Sequence, residues 1–157
     1  MNYNDLSEEE QIKVVSQNGF KIGDIKNPSE AVQLAAVREI NDAIRCIKNP
    51  SEAVQLAAIH RRPTTIQYIK NPSEVVQLAA VQQAGYVIQY IENPFETVQA
   101  IAVERNFALA GYIQHLSEAL QWKLVLKSIR NYVYIRNPTK EIESYIDLIR
   151  LGESCKV

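Results

Sequence analysis

Apolar and polar residues fall along this chain in short blocks rather than in one sustained rhythm. A block such as Ala31-Val32-Gln33-Leu34-Ala35-Ala36-Val37 lacks the alternation of a half-buried strand and is rich in Ala and Leu. It predicts a helix of about ten residues, roughly Pro28 to Arg38. Its apolar positions, Val32, Leu34, Ala35, Ala36 and Val37, are too wide for a single stripe, as expected of a helix with neighbours on both sides. Glu30 and Gln33 mark its expected wet face. A second apolar block follows at Ile44-Arg45-Cys46-Ile47 and returns as Ile66-Gln67-Tyr68-Ile69 and Ile88-Gln89-Tyr90-Ile91. Isoleucines three apart suit one face of a second helix of about seven residues. Turn residues separate the two halves at Asn18-Gly19, Pro63-Thr64 and Ala84-Gly85.

These blocks sit on a fixed ruler. Ile25-Lys26-Asn27-Pro28-Ser29-Glu30 returns at Ile47 and at Ile69, more loosely at Ile91 and Ile135, and only in part at Ile113. The period is 22 residues, so units begin near 3, 25, 47, 69, 91, 113 and 135 and make one domain of residues 1–157. Such self-similarity is the mark of a stacked array. Leucine-rich repeats have comparable periods but need L-x-x-L-x-L-x-x-N, which is missing here. The predicted fold is therefore all-α: a right-handed α-solenoid of about seven 22-residue helix–turn–helix repeats. The Ile column (25, 47, 69, 91, 113, 135) and the Val column (37, 81, 103, 125, with Ile59) are its expected core. The Ala pairs 35/36, 57/58 and 79/80 should let helices approach closely.

Asn27, Pro28, Ser29 and Glu30 read as N-cap, N1, N2 and N3 of the first helix in the unit. Asn49, Asn71, Asn93 and Asn137 offer the same cap, with Asp5 as a substitute and His115 in the equivalent place of its unit. The first and last units should act as caps of the array. Glu10 and Lys13 replace Val and Ala at the start, and Glu141-Ile142-Glu143-Ser144-Tyr145-Ile146-Asp147 ends it.

Composition changes the picture only by exclusion. With 17 Lys+Arg against 18 Asp+Glu, the net charge of −1 creates no general field for nucleic acid or anionic membrane. No apolar run is long enough to span a bilayer, and the first residues show no secretion signal. Two cysteines, Cys46 and Cys155, make no disulfide framework, so a reducing cytoplasm is expected. Cys46 replaces Tyr in its column and is expected to be a packed small residue rather than a nucleophile.

The motif Asn-Pro-Ser-Glu-x-Val-Gln-Leu-Ala-Ala-Val, followed by a variable turn and Ile-Gln-Tyr-Ile, resembles a family of short tandem helical repeats in phage, prophage and giant-virus proteins. Residues 25–112 match it closely, and units 113–134 and 135–156 weakly. Most members have no assigned activity, and the motif carries no catalytic or ligand-binding residue to transfer. The resemblance implies a setting: a small phage protein that antagonises a bacterial defence, such as a CRISPR effector.

No catalytic set is visible, so a non-enzyme without metal or cofactor is expected. His60 and His115 occupy different unit positions, and no Cys-x-x-Cys, His-x-x-x-His or Walker pattern occurs. The recurrent glutamines (Gln11, Gln33, Gln55, Gln77, Gln99, Gln121) fit a solvated face, a ladder bonding the next unit's backbone, or base readout. The tyrosines (Tyr68, Tyr90, Tyr112, Tyr134) fit a core edge with wet hydroxyls, or base stacking. Function in solenoids usually resides where units differ. Those places are Arg38 and Glu39, then His60, Arg61 and Arg62, then Gln82 and Gln83, then Glu104, Arg105 and Phe107. They should form one partner-binding ridge of mixed charge, with Phe95 and Phe107 as candidate anchors. The expected partner is a protein, with nucleic acid as the alternative. The apolar end of the array also invites a homodimer.

Overall fold

A computed structural model of the chain describes residues 2–154 and is all-helical, with no strand among them. Cys155 and Lys156, the close of the seventh unit, lie outside the described residues. Each unit contributes one α-helix: α1 (Glu8–Gln17), α2 (Glu30–Glu39), α3 (Glu52–Arg61), α4 (Glu74–Gln83), α5 (Glu96–Arg105), α6 (Glu118–Lys127) and α7 (Lys140–Ser154). The second helix is a 3₁₀ helix of six residues in the units that follow α1 to α6, for example Asn41–Cys46 and Pro63–Tyr68. The α-helices stack in succession on one side and the 3₁₀ helices on the other, with the core between the two layers. This is an α-solenoid.

The connection inside each unit is a single extended residue. Ile40 (φ −141°) closes α2 with its N–H on the Ala36 carbonyl, and its own carbonyl accepts from Ala43 to open the 3₁₀ helix. Arg62, Ala84, Asn106 and Ser128 repeat both bonds in their units. Neither polar group of that residue is left over, so a bend without a left-handed residue is fully satisfied. The 3₁₀ geometry also explains the isoleucines three apart, since side chains at i and i+3 eclipse there. Ile44 and Ile47 are thereby both buried.

The N-cap is the serine, two residues after the asparagine that the sequence suggested. Ser29, Ser51, Ser73 and Ser117 accept from the backbone N–H three residues on, and each α-helix starts at the following Glu. Asn-Pro instead forms the bend before the helix, with Asn27 and Asn71 at positive φ. Asn tolerates that conformation better than most residues. In the first unit the cap is Ser7 rather than Asp5, which bonds Asn2. Glu10 completes a capping box there; the Ser7 N–H and hydroxyl hold its carboxyl below the ordinary value. Its contribution is therefore present near neutrality and fades as pH falls through that lowered value. Elsewhere the first-turn Glu reaches forward: Glu8 accepts from Ser29, Glu52 from Ser73 and Glu74 from Thr97.

Two columns of each α-helix face forward and two face back. Forward lie the Gln column and the Val column; Gln77 Oε1 accepts from Phe95 N, Gln99 Oε1 from Ser117 N and Gln121 Oε1 from Thr139 N, all in the next unit. Backward lie Val32 and Ala36 and their equivalents, 0 % exposed in α2 to α5. The Ile column is buried throughout, and of each Ala pair only the second member is fully buried. Leu120 and Leu124 replace Val and Ala in α6, and the α5–α6 approach is correspondingly wider than those from α1 to α5.

From Gln77 onward the Gln column is thus the ladder of the three readings. Gln11, Gln33 and Gln55 instead bond carbonyls of their own units, with Gln33 turned into the joint rather than onto a wet face. Gln99 and Gln121 each bond a carbonyl in the bend of their own unit, Pro94 and Leu116, and a carbonyl and an N–H of the next. Gln33 and Gln55 donate to Pro28 and Pro50, while their buried Oε1 atoms find no partner among the described residues. Gln121→Met should therefore cost about 2–3 kcal/mol, because it strips bonds from several buried groups at once. Gln33→Met should cost less than about 1 kcal/mol. Urea unfolding of the two variants checks the ranking.

The same columns explain the ends. At the N-terminal end the backward position holds Glu10, which is exposed, and at the C-terminal end the forward positions hold Glu143 and Asp147, also exposed. Charged side chains thus stand in the stacking direction at both ends, beside the half-buried Val14 at one and the exposed Leu151, one turn on from Asp147, at the other. The combined variant Glu10→Val, Glu143→Gln, Asp147→Val should make the ends complementary and produce open-ended polymers with unchanged helicity. Size-exclusion chromatography with light scattering would show this; an unchanged particle size would mean that other features seal the ends.

Candidate interaction surface

The residues that differ between units gather where each α-helix ends. Arg38, His60, Gln82 and Glu104 occupy one column, and Glu39, Arg61, Gln83 and Arg105 the next; all are exposed. Arg62 follows as the connecting residue of its unit, and Phe107 opens the next 3₁₀ helix. They are exposed because the forward and backward columns already occupy two flanks of the helix. The last turn then presents its remaining side chains to solvent.

The geometry divides this ridge into two places. Arg38, His60, Arg61 and Gln83 come together around a groove of about 460 Å³ across α2, α3 and α4, whose apolar floor is Leu56, Ala57 and Ala79. Arg38 and Arg61 make no ion pair among the described residues. Glu104, Arg105 and Phe107 line a second cleft of about 330 Å³ with Asn106, Asn131 and Tyr134. Here charge is mixed, since Glu104 pairs with Lys123 across α5 and α6. Arg62 belongs to neither. It spans two units to Asp42 at 3.3 Å and bonds Thr64, a structural role that leaves its charge answered. Glu39 and Gln82 stand exposed beside the first groove without lining it.

The floor of the α-face was not singled out by sequence. Leu34, Ala35, Leu56, Ala57, Leu78 and Ala79 are half-buried, and they continue as Ala100 and Ile101 in α5. Their periodic recurrence was a readable signal, but the same pattern also suits a fully buried helix. At the far end Trp122 closes the row, stacking edge-on to Tyr145 at 5.4 Å and donating to Glu118. Beyond it Leu126, Leu148 and Leu151 are all exposed by more than 60 %.

On the other layer the tyrosines depart from the core-edge expectation. Tyr68, Tyr90 and Tyr112 are 37–49 % exposed, and only Tyr134 is half-buried against the core. Cys46 in the same column is exposed rather than packed. Tyr68 and Tyr90 border two equivalent clefts between units, each lined by lysine, asparagine and proline of the Asn-Pro bend; Cys46 borders a third. His115 is exposed and its carbonyl accepts from Gln99, so it is a loop residue and not a helix cap.

Among the described residues no group of three or more His, Cys, Asp or Glu is placed to hold a metal, and no helix is long and apolar enough to cross a membrane. Comparisons with protein-family models, with curated proteins and with solved structures find no match for this chain.

The two candidate anchors differ. Phe107 is tucked against the core, whereas Phe95 is 46 % exposed. Phe95 also stands at the N-cap of α5, where it supplies no side-chain cap bond. Phe95→Ser should restore the cap and stabilise the fold by about 0.5–1 kcal/mol, measured by chemical denaturation. A destabilised Phe95→Ser variant would show instead that the ring contributes packing that exceeds the missing cap.

Proposed function

We propose that this protein is a non-catalytic protein-binding repeat scaffold that presents its α-face to a partner. What carries the reading is the groove across α2, α3 and α4. There, an apolar floor that the stack leaves half-exposed meets two cations that make no ion pair among the described residues. Partner surfaces combine these elements, an apolar centre and a charged rim with arginine. With the setting implied by the repeat resemblance, the partner is a bacterial defence complex such as a CRISPR effector, inhibited in the cytoplasm by occupation of its surface.

The test is capture of a partner from a nuclease-treated bacterial lysate. The variant Arg38→Glu, Arg61→Glu, Arg105→Glu should lose the captured protein by at least about tenfold at unchanged helicity, as expected when rim charges are reversed. Retention of the same protein by the triple variant would remove the α-face from consideration.

A second reading has one observation in its favour. Lys26, Lys48 and Lys70 line successive clefts of the other layer, with the exposed Tyr68 and Tyr90 beside two of them. Lysines and rings at unit spacing suit a single strand of nucleic acid, whose binding would weaken steeply with salt.

A further inference from the structure

We infer that the groove across α2, α3 and α4 is built for an acidic amphipathic helix, with carboxylates two helical turns apart and apolar residues between them. The inference rests on the protein-binding reading of the same face and adds the chemistry of the occupant.

The floor comes first. Leu56, Ala57 and Ala79 present only alkyl groups, and the two alanines leave a depression beside the leucine. A polar or charged group placed there would lose water without gaining a hydrogen bond, so the floor selects an aliphatic or aromatic side chain. The groove is open along its length and does not enclose a small ligand, as pockets for such ligands do.

The rim sets the sign of the partner. Arg38 comes from α2 and Arg61 from α3, and neither guanidinium is paired among the described residues. Arg62, one residue further on, shows what a structural arginine does here: it is answered by Asp42. Because the whole chain has a net charge of −1, the two free guanidinium groups form a local feature and not part of a general basic surface. Arginine accepts carboxylates through paired N–H bonds, which adds geometry to charge. His60 and Gln83 add polar groups to the rim without bringing an acid into it.

Spacing supplies the shape. Arg38 and Arg61 belong to successive stacked helices, whose axes lie roughly 8–10 Å apart. On a helical ligand, residues i and i+7 are about 10 Å apart, and residues i+3 and i+4 lie between them on the same face. Glu or Asp at i and i+7, with Leu or Phe at i+3 and i+4, therefore meets both cations and the floor at once. Bases of a nucleic acid would find no aromatic ring lining this groove, since Tyr68, Tyr90 and Tyr112 end the 3₁₀ helices of the other layer.

Three peptides of about 15 residues, roughly four helical turns, form the probe set. One carries Glu at i and i+7 with Leu at i+3 and i+4, one has Lys for Glu, and one shuffles the first sequence. Binding to the isotope-labelled full chain is followed by fluorescence anisotropy and by amide shifts. The Glu peptide is expected to bind near physiological ionic strength and to shift amides of α2, α3 and α4. Arg38→Glu with Arg61→Glu should weaken it by at least about tenfold. Ala57→Leu with Ala79→Leu, which fills the floor and keeps both cations, should weaken it as well. Arg62→Gln should change it less than about twofold, and circular dichroism of every variant controls for folding. Equal binding of the Lys or shuffled peptide, shifts confined to other elements, or displacement of the Glu peptide by oligothymidylate would each overturn the inference. Should lysate capture depend on Arg38 and Arg61 while the Glu peptide fails, the scaffold reading stands and the occupant proposed here is wrong.

Discussion

A glutamine side chain carries the joint on which this solenoid depends. The bend around Asn-Pro leaves backbone carbonyls and N–H groups at the junction of two units, away from any helix ladder. At Gln99 and Gln121 one carboxamide reaches three of them: its NH₂ serves a carbonyl on each side, and its oxygen takes the N–H of the next unit's cap residue. A carboxylate could not donate, an ammonium could not accept and a hydroxyl has only one proton to give, whereas the amide combines two N–H donors with an acceptor oxygen. Apolar columns supply the bulk of the burial, but without the amide their closest approach would strand polar groups in a dry seam. The seam is tightest in bonding at Gln99 and Gln121 and less complete at Gln33 and Gln55, whose oxygens are buried and unanswered. The array is therefore not uniform even where its sequence nearly is.

Much of the architecture was legible in the chain. The Ile and Val columns and the helix in each unit all follow from spacing and composition, because stacking demands the same residue at the same place in every unit. The misplaced cap has a physical origin: Asn-Pro-Ser-Glu offers two residues able to accept from the first turn, and pattern alone does not say which has extended backbone. The backbone decides for serine, which is extended at 29, 51 and 73 and accepts from the N–H three residues on. The shorter helix could be placed but not typed, since isoleucines three apart fit both 3₁₀ and α geometry.

The surface was half legible. Differences between units did identify the exposed ends of the α-helices, which is where Arg38, His60, Arg61 and Gln83 meet. Sequence could not show that Arg62, adjacent to Arg61 and of the same type, turns the other way to Asp42. Nor could it separate the half-buried Leu and Ala floor from the fully buried columns, because both repeat with equal fidelity. The exposed tyrosines and Cys46 mislead for a related reason: recurrence suggests burial, yet a recurring position on the outer side of the 3₁₀ layer repeats just as well. A surface and a seam can have the same periodicity.

The one-residue bend within each unit has a consequence for how such a chain can change. Both polar groups of Ile40 and its counterparts are committed, one to the helix before and one to the helix after. Inserting or deleting a single residue there would break one of these bonds and set the 3₁₀ helix of that unit out of register with the α-helix it packs against. Length is therefore quantised: the molecule can grow or shrink by whole copies of 22 residues, spliced anywhere in the near-identical stretch from Ile25 to Tyr90, and in no smaller step.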